Sequence, residues 1–311
     1  MSTTPTTSHP IVVGVDESAQ SRLALDWAID EARRRDLPLE LVHARPMPLR
    51  GPAVETAFTR PGVDGVLEDA VARVHSLAPY TSVTTSGAHG AAAPMLVDAS
   101  RDATMLVVGA RGRGALRSAM LGSTSLDVAA HAHSPVVVVR ELSQALPDRP
   151  GVVVGIDGSP ISEGALGEAF HQADARGLPL TVVHAWFLDY AGTGLAVLAT
   201  DAQIAELAQE ERSLAHDAVA RWSARYPGVS VREHVLNAHP VQALVDHSKG
   251  AELLVVGTRG RGGFGGLVLG SVSQGVLHHA HCPVMVVRSQ PETVPSQAPV
   301  VSAAGSQAVT P

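Results

Sequence analysis

Two glycine-rich segments hold the residue types and spacings of this sequence best suited to chemistry. The first runs Gly109-Ala110-Arg111-Gly112-Arg113-Gly114-Ala115 and closes on Gly122-Ser123-Thr124-Ser125. The second runs Gly257-Thr258-Arg259-Gly260-Arg261-Gly262-Gly263 and closes on Gly270-Ser271-Val272-Ser273. Both satisfy Gly-x2-Gly-x9-Gly-Ser-x-Ser. Glycine lets a backbone reach positive φ and bring its N–H groups close to an anion. A Gly-Ser pair opening a helix adds the first-turn amides and the helix dipole, with hydroxyls as further donors. The chemistry that fits is the cradling of a phosphate chain. The dipole contributes only about 0.3–1 kcal/mol, so several N–H groups must converge on the anion. Arg111, Arg113, Arg117, Arg259 and Arg261 could add charge, though surface arginines are a weaker sign than the glycines.

Other phosphate loops do not fit. There is no Gly-x4-Gly-Lys-Ser/Thr, and the single lysine, Lys249, lies in neither segment. A dinucleotide fingerprint belongs after the first strand, where this chain reads Gly14-Val15-Asp16-Glu17-Ser18. Asp16 and its counterpart Asp157 suit a strand-to-turn exit, and equally a Mg²⁺ accompanying phosphates. His278, His279, His281 and Cys282 cluster, but they read as a helix C-terminus followed by a packed thiol rather than a metal site. His43 and His184 read as structural. No Gly-x-Ser-x-Gly, His-Glu-x-x-His or Cys-x-x-Cys pattern occurs, so no catalytic residue and no metal ligand is assigned.

The elements that position these loops come in two copies. Val12-Val-Gly-Val-Asp16 recurs as Val153-Val-Gly-Ile-Asp157, and Leu37-Pro-Leu-Glu-Leu-Val-His-Ala44 as Leu178-Pro-Leu-Thr-Val-Val-His-Ala185, both offset by 141 positions. From Leu96 and Leu244 onward the offset is 148, so the second copy has gained seven residues between Ala185 and Leu244. In copy one, apolar runs predict strands near 11–16, 39–44, 81–86, 105–109 and 136–139. Helices are expected near 19–35, 64–77, 92–101 and 123–132, with Ser18 and Ser159 as N-caps and Pro160 following. Continuous apolar strands alternating with helices mean a parallel sheet covered on both faces. The fold class is therefore α/β, two tandem doubly wound, Rossmann-like domains. Their expected limits are 9–140 and 150–288, with a linker at 141–149 and disordered ends at 1–8 and 289–311.

Composition agrees with two globular cores: 311 residues, 45% hydrophobic and 17% charged. A net charge of −7 argues against nucleic acid or an anionic membrane as partner. The N-terminus does not read as a signal peptide, no apolar run approaches membrane-spanning length, and the lone cysteine excludes an internal disulfide. A cytoplasmic location follows as the default.

Taken with the Asp ending strand one and the Val-His-Ala ending strand two, the doubled glycine motif resembles the universal stress protein family, in its tandem ATP-binding form. The resemblance covers both copies. It implies a five-stranded parallel sheet of order 3-2-1-4-5 in each domain. It implies adenine against Gly14, Val15, Asp16 and Ala44, and against Gly155, Ile156, Asp157 and Ala185. Ribose is implied at Gly109 or Gly257. Phosphates are implied at Gly112 to Ala115 with Gly122 to Ser125, and at Gly260 to Gly263 with Gly270 to Ser273. Asp189 is a weaker polar candidate. The implied cofactor is ATP, with Mg²⁺, and the implied role is stress response or growth arrest through an unidentified protein partner. The family's last strand commonly pairs across a dimer; here 136–139 and 284–287 could satisfy that pairing within one chain, with a homodimer still open. Three functions stand: a nucleotide-binding regulator, a slow Mg-dependent ATP hydrolase or nucleotidyl transferase using Asp16 and Asp157, and a nucleotide-free interaction module.

Overall fold

The computed structural model describes residues 8–45, 64–112, 121–141, 151–187, 200–261 and 268–288. The first copy contains β1 (Ile11–Gly14), α1 (Ala19–Arg35), β2 (Leu39–Arg45), α2 (Gly65–Leu77), β3 (Val83–His89), α3 (Ala92–Ala99), β4 (Met105–Gly109), α4 (Ser123–His131) and β5 (Val136–Val139). The second contains β6 (Val152–Ile156), α5 (Pro160–Arg176), β7 (Leu180–Trp186), α6 (Asp201–Ser223), β8 (Val231–Asn237), α7 (Pro240–His247), β9 (Leu253–Gly257), α8 (Ser271–His279) and β10 (Val284–Val287). The expected strand order is found in each half. The halves then join edge to edge into one sheet, β3-β2-β1-β4-β5-β10-β9-β6-β7-β8. Every pairing within a half is parallel, whereas β5 and β10 run antiparallel.

Alternation along the strands explains the two cores. Ile11 and Val13 face one apolar cluster and Val12 faces the other, all without exposed surface. Helices α1, α2, α5 and α6 cover the first cluster, which runs unbroken across both halves. Helices α3, α4, α7 and α8 cover the second. Ser18 and Ser159 cap α1 and α5 as expected, accepting from Ser21 N and Ser162 N. Helix α1 ends on Asp36 in the left-handed region and α5 on Gly177.

Three elements differ by two residues or more from the limits read in the sequence. Strand β1 stops at Gly14 because Asp16 turns the chain: its N–H donates to Ser21 Oγ, and its Oδ1 accepts from Ser18 N. Strand β3 begins at Val83 and runs to His89, since it pairs residue for residue with β2 from Leu39 to Arg45. Helix α3 ends at Ala99 and tightens into a 3-10 turn over Ser100–Asp102. Helix α6, with 23 residues against 13 in α2, lies within the stretch where the second copy is longer.

The junction of the halves is nearly symmetric. Val137 pairs with Met285, the same position of the two repeats, so a pseudo-twofold axis passes between them. The repeat-equivalent arginines cross it in opposite directions. Arg140 donates to the Leu277, His278 and Ala280 carbonyls at the end of α8, and Arg288 to the Ala130 carbonyl at the end of α4. On the other face of the sheet Arg176 of α5 reaches Glu31 of α1 at 2.8 Å.

Cys282 heads β10 with no exposed surface, and burial pushes its thiol up to about 12 despite the nearby Arg140. We expect no reaction with an aromatic disulfide reagent in the native protein and one equivalent in denaturant. Rapid native labelling would contradict this packing. Among the described residues no helix is long and apolar enough to cross a membrane.

Candidate functional site

Each half has a crevice at the carboxyl ends of its strands, where β1 lies between β2 and β4 and β6 between β7 and β9. This is the reversal of strand order at which open α/β sheets bind ligands. The first crevice, about 480 Å³, is lined by Gly14, Val15, Asp16, Ala44, Gly109, Arg111, Gly112, Thr124 and Ser125 among the expected residues. The second, about 470 Å³, takes in Gly155, Ile156, Asp157, Ala185, Gly257, Arg259, Gly260, Arg261, Gly270, Ser271, Val272 and Ser273. Arg113, Gly114, Ala115, Asp189, Gly262 and Gly263 lie outside the described residues.

Ala110 and Thr258 do not line the crevices; they are buried beneath them. Ala110 N–H donates to the Val139 carbonyl, and its own carbonyl accepts from Gly122 N at 2.8 Å. Thr258 repeats both bonds with Val287 and Gly270. These bonds fold each loop back so that Gly122 or Gly270 stands at the start of the next helix. Gly122 and Gly270 are the N-caps of α4 and α8, and no side chain caps either helix. The first-turn N–H groups are thus left for an anion.

The described loop glycines do not use the positive φ that glycine allows. None of Gly109, Gly112, Gly122, Gly257, Gly260 or Gly270 has positive φ. Gly109, Gly112, Gly257 and Gly260 provide close approach. A Cβ on Gly109 would stand 2.7 Å from the Gln20 backbone, and one on Gly257 2.8 Å from Ile161 Cγ2. A Cβ on Gly112 would stand 2.8 Å from Asp16 Oδ2, and one on Gly260 would collide with Asp157 Oδ2.

The aspartates are ties between segments. Asp157 Oδ1 accepts from Ser159 N at 3.0 Å and its Oδ2 from Arg261 N at 2.7 Å. Burial opposes ionisation of this carboxyl, but bonds from Ser159, Arg261 and Ser162 outweigh it and hold the group below the usual carboxylate range. The first crevice adds a similar tie: Ser18 Oγ donates to the Arg111 carbonyl. Ser125 and Ser273 are buried, and their hydroxyls donate to the Gly109 and Gly257 carbonyls. In this structure their hydroxyl hydrogens are turned to the chain's own carbonyls. Ser123 and Ser271, in the same first turns, are exposed.

Residues that the motif does not contain complete the pockets. Val42, Leu96 and Val108 give the first crevice an apolar wall, as Val183, Leu244 and Val256 do in the second. Leu96 and Leu244 pack over Gly14 and Gly155, where a Cβ would stand 3.1 and 2.9 Å from their methyl groups. The repetition of Leu-Val-Asp at 96 and 244 was the available signal. Below each wall a buried histidine meets a carboxylate. His43 Nδ1 bonds to Asp64, the N-cap of α2. His184 Nδ1–H donates to the Ile156 carbonyl while Nε2 faces Glu211 of α6. Glu211 also stands 3.7 Å from the Arg261 guanidinium.

Comparison with known proteins places this arrangement. The sequence profile of the universal stress protein family matches residues 7–140 and again 151–288. A universal stress protein of Mycolicibacterium smegmatis is 39% identical over 296 residues, covering 91% of this chain and 98% of its own. A universal stress protein from Archaeoglobus fulgidus DSM 4304 shares the fold at a TM-score of 0.64 with 18% identity, over 90% of this chain and 96% of that one. Another Archaeoglobus fulgidus universal stress protein, solved in complex with dAMP, aligns with 44% of this chain and 97% of its own at 29% identity and a TM-score of 0.32.

Proposed function

The chain belongs to the universal stress protein family, and we propose that it is a cytoplasmic regulator that binds ATP, with Mg²⁺, in each of its two domains. We take those domains as 9–140 and 150–288, joined by a linker at 141–149. One observation carries the reading. Both crevices combine an apolar wall at the strand ends with the uncapped first turn of a helix, and an arginine, Arg111 or Arg259, lines each. An apolar slot suits a purine, and convergent backbone N–H groups with a guanidinium suit a phosphate chain.

In this reading Leu96, Val108 and Ala44, and Leu244, Val256 and Ala185, hold the base. The first-turn amides of α4 and α8, with Arg111 and Arg259, hold the phosphates. Bound ATP supplies charge and contacts that favour one conformation or partner complex. Its effect is bounded by its differential affinity for the two states. The response belongs, as the family suggests, to stress or growth arrest. The hydrolase alternative needs Asp16 and Asp157 as metal ligands, and each Asp157 oxygen would have to coordinate while still accepting its backbone N–H. We assign no catalytic residue.

Mass spectrometry of nucleotide released from denatured, freshly purified protein tests the proposal. ATP should co-purify, and ATP–Mg at 100 times Kd should stabilise an emptied site by about 2.7 kcal/mol. No adenine nucleotide and no thermal shift would overturn it.

A further inference from the structure

A further cavity belongs to neither crevice. It is about 940 Å³ and lies between the end of the first domain's sheet and helices α7 and α8 of the second. Its charge runs against that of the chain. Arg111, Arg140, His239, His278, His279 and His281 line it, with Glu141 as the single carboxylate among its described lining residues, in a protein of net charge −7. Neither arginine has a carboxylate partner among the described residues. Arg140 is bonded to carbonyls at the end of α8, whose partial negative charge offsets its own only in part.

The histidines feel that charge. His278 is held below the usual imidazole range by burial, then by His279 and Arg140. The His278 and His279 rings are 6.2 Å apart. Among the described residues no group of three His, Cys, Asp or Glu side chains could hold a metal ion, so the cluster does not answer to a cation. Two arginines against one described carboxylate, beside histidines whose ring N–H groups can donate, make a concave site that answers to an anion.

We propose that this interdomain cavity is a third ligand site, which takes a compact oligophosphate chain. Size favours such a chain over a single phosphate, since the cavity is about twice the volume of either crevice. The position gives it consequences for both. Arg111 lines this cavity and the first crevice alike. His239 lines it while stacking edge-on against Phe187, and the next residue, Pro240, lines the second crevice. An anion held here would touch walls shared with both domains. Arg111 is shared with the ATP reading, but the two readings can be tested apart, because His278, His279 and Gln242 line neither crevice.

The test is calorimetric titration of the full chain with inorganic tripolyphosphate, with both crevices saturated by ATP and Mg²⁺ in excess. One further equivalent should bind. His278→Asn with His279→Asn should weaken that binding by about tenfold and leave ATP stoichiometry at two. Gln242→Glu, an exposed and nearly isosteric change that adds a negative charge, should weaken it as well. Tripolyphosphate binding undisturbed by excess ATP identifies a free oligophosphate as occupant. A third equivalent of ATP that tripolyphosphate displaces, and that the variants abolish, identifies a nucleotide's phosphate chain instead. No binding by the wild type, or unchanged binding by both variants, overturns the site. Should ATP fail to bind at all, the same titration of the bare protein and its variants still decides.

Discussion

Glu31→Leu is expected to destabilise the chain by about 3–5 kcal/mol, the cost of leaving one member of a buried ion pair alone. Glu31 has no exposed surface, and Arg176 of the other domain reaches it at 2.8 Å with a side chain only 2% exposed. Burial already lowers the Arg176 pKa, and Glu31 is the largest influence acting to raise it. Arg34 and Arg35 also approach Glu31, at 3.4 and 3.5 Å, but both retain solvent. Without Glu31, Arg176 would keep Gln172, the face of Trp27, 5.5 Å away, and a weaker attraction from Glu252, with no carboxylate bonded to it. The double variant Glu31→Leu with Arg176→Met should recover most of the loss, because it removes the stranded charge as well. Urea unfolding of the three proteins measures this. A single variant within about 1 kcal/mol of wild type, or a double variant worse than the single, would show that the pair does not hold the junction.

That pair also marks where sequence reading stops. Glu31 stands in a run, Asp-Glu-Ala-Arg-Arg-Arg, that looks like the solvated end of an amphipathic helix. Nothing local distinguishes it; burial comes only when α5 of the second copy packs across it. Its repeat equivalent is Gln172, and that of Arg176 is Arg35, so the copies have diverged where they face each other. By contrast the doubly wound parallel sheet was legible in short apolar runs alternating with helices, while the strand order within it came from the family resemblance. The pairing of 136–139 with 284–287 was suggested by the resemblance, as one way to satisfy the family's last-strand pairing, and it covers two apolar edges. The roles of individual motif residues were not. Glycine spacing reported that backbones come close, and only coordinates reveal that Gly109 approaches a helix and Gly112 a carboxylate. Ser125 and Ser273 looked like phosphate donors, yet each hydroxyl hydrogen is committed to the carbonyl sixteen residues back. Glu211 is one of many acids on a long helix, and it meets His184 only through the tertiary fold.

The distinction between close approach and backbone freedom gives the second large effect. Gly109→Ala should destabilise the first domain by about 1–3 kcal/mol, because the added methyl meets the Gln20 carbonyl carbon and oxygen at 2.7 Å and neither is a side chain that can rotate aside. The relief available is to push α1 off β4. Helix α1 begins just after Ser18, which holds the Arg111 carbonyl and bonds to Asp16, so the shift drags the phosphate side of the crevice with it. ATP binding in the first domain should therefore weaken by more than about tenfold, as even small misplacement of binding groups costs that much. The second crevice should bind as before. Gly122→Ala is the control: its methyl would meet the Ala110 carbonyl at 3.5 Å, an ordinary contact, and its φ of −79° suits any residue. Its cost should stay below about 1 kcal/mol, that of a poorer N-cap. If these glycines served backbone conformation rather than close packing, the two variants would be destabilised alike. Unfolding midpoints together with ATP stoichiometry by equilibrium dialysis separate the cases: a stable Gly109→Ala that still binds two equivalents of ATP would refute the packing role of Gly109.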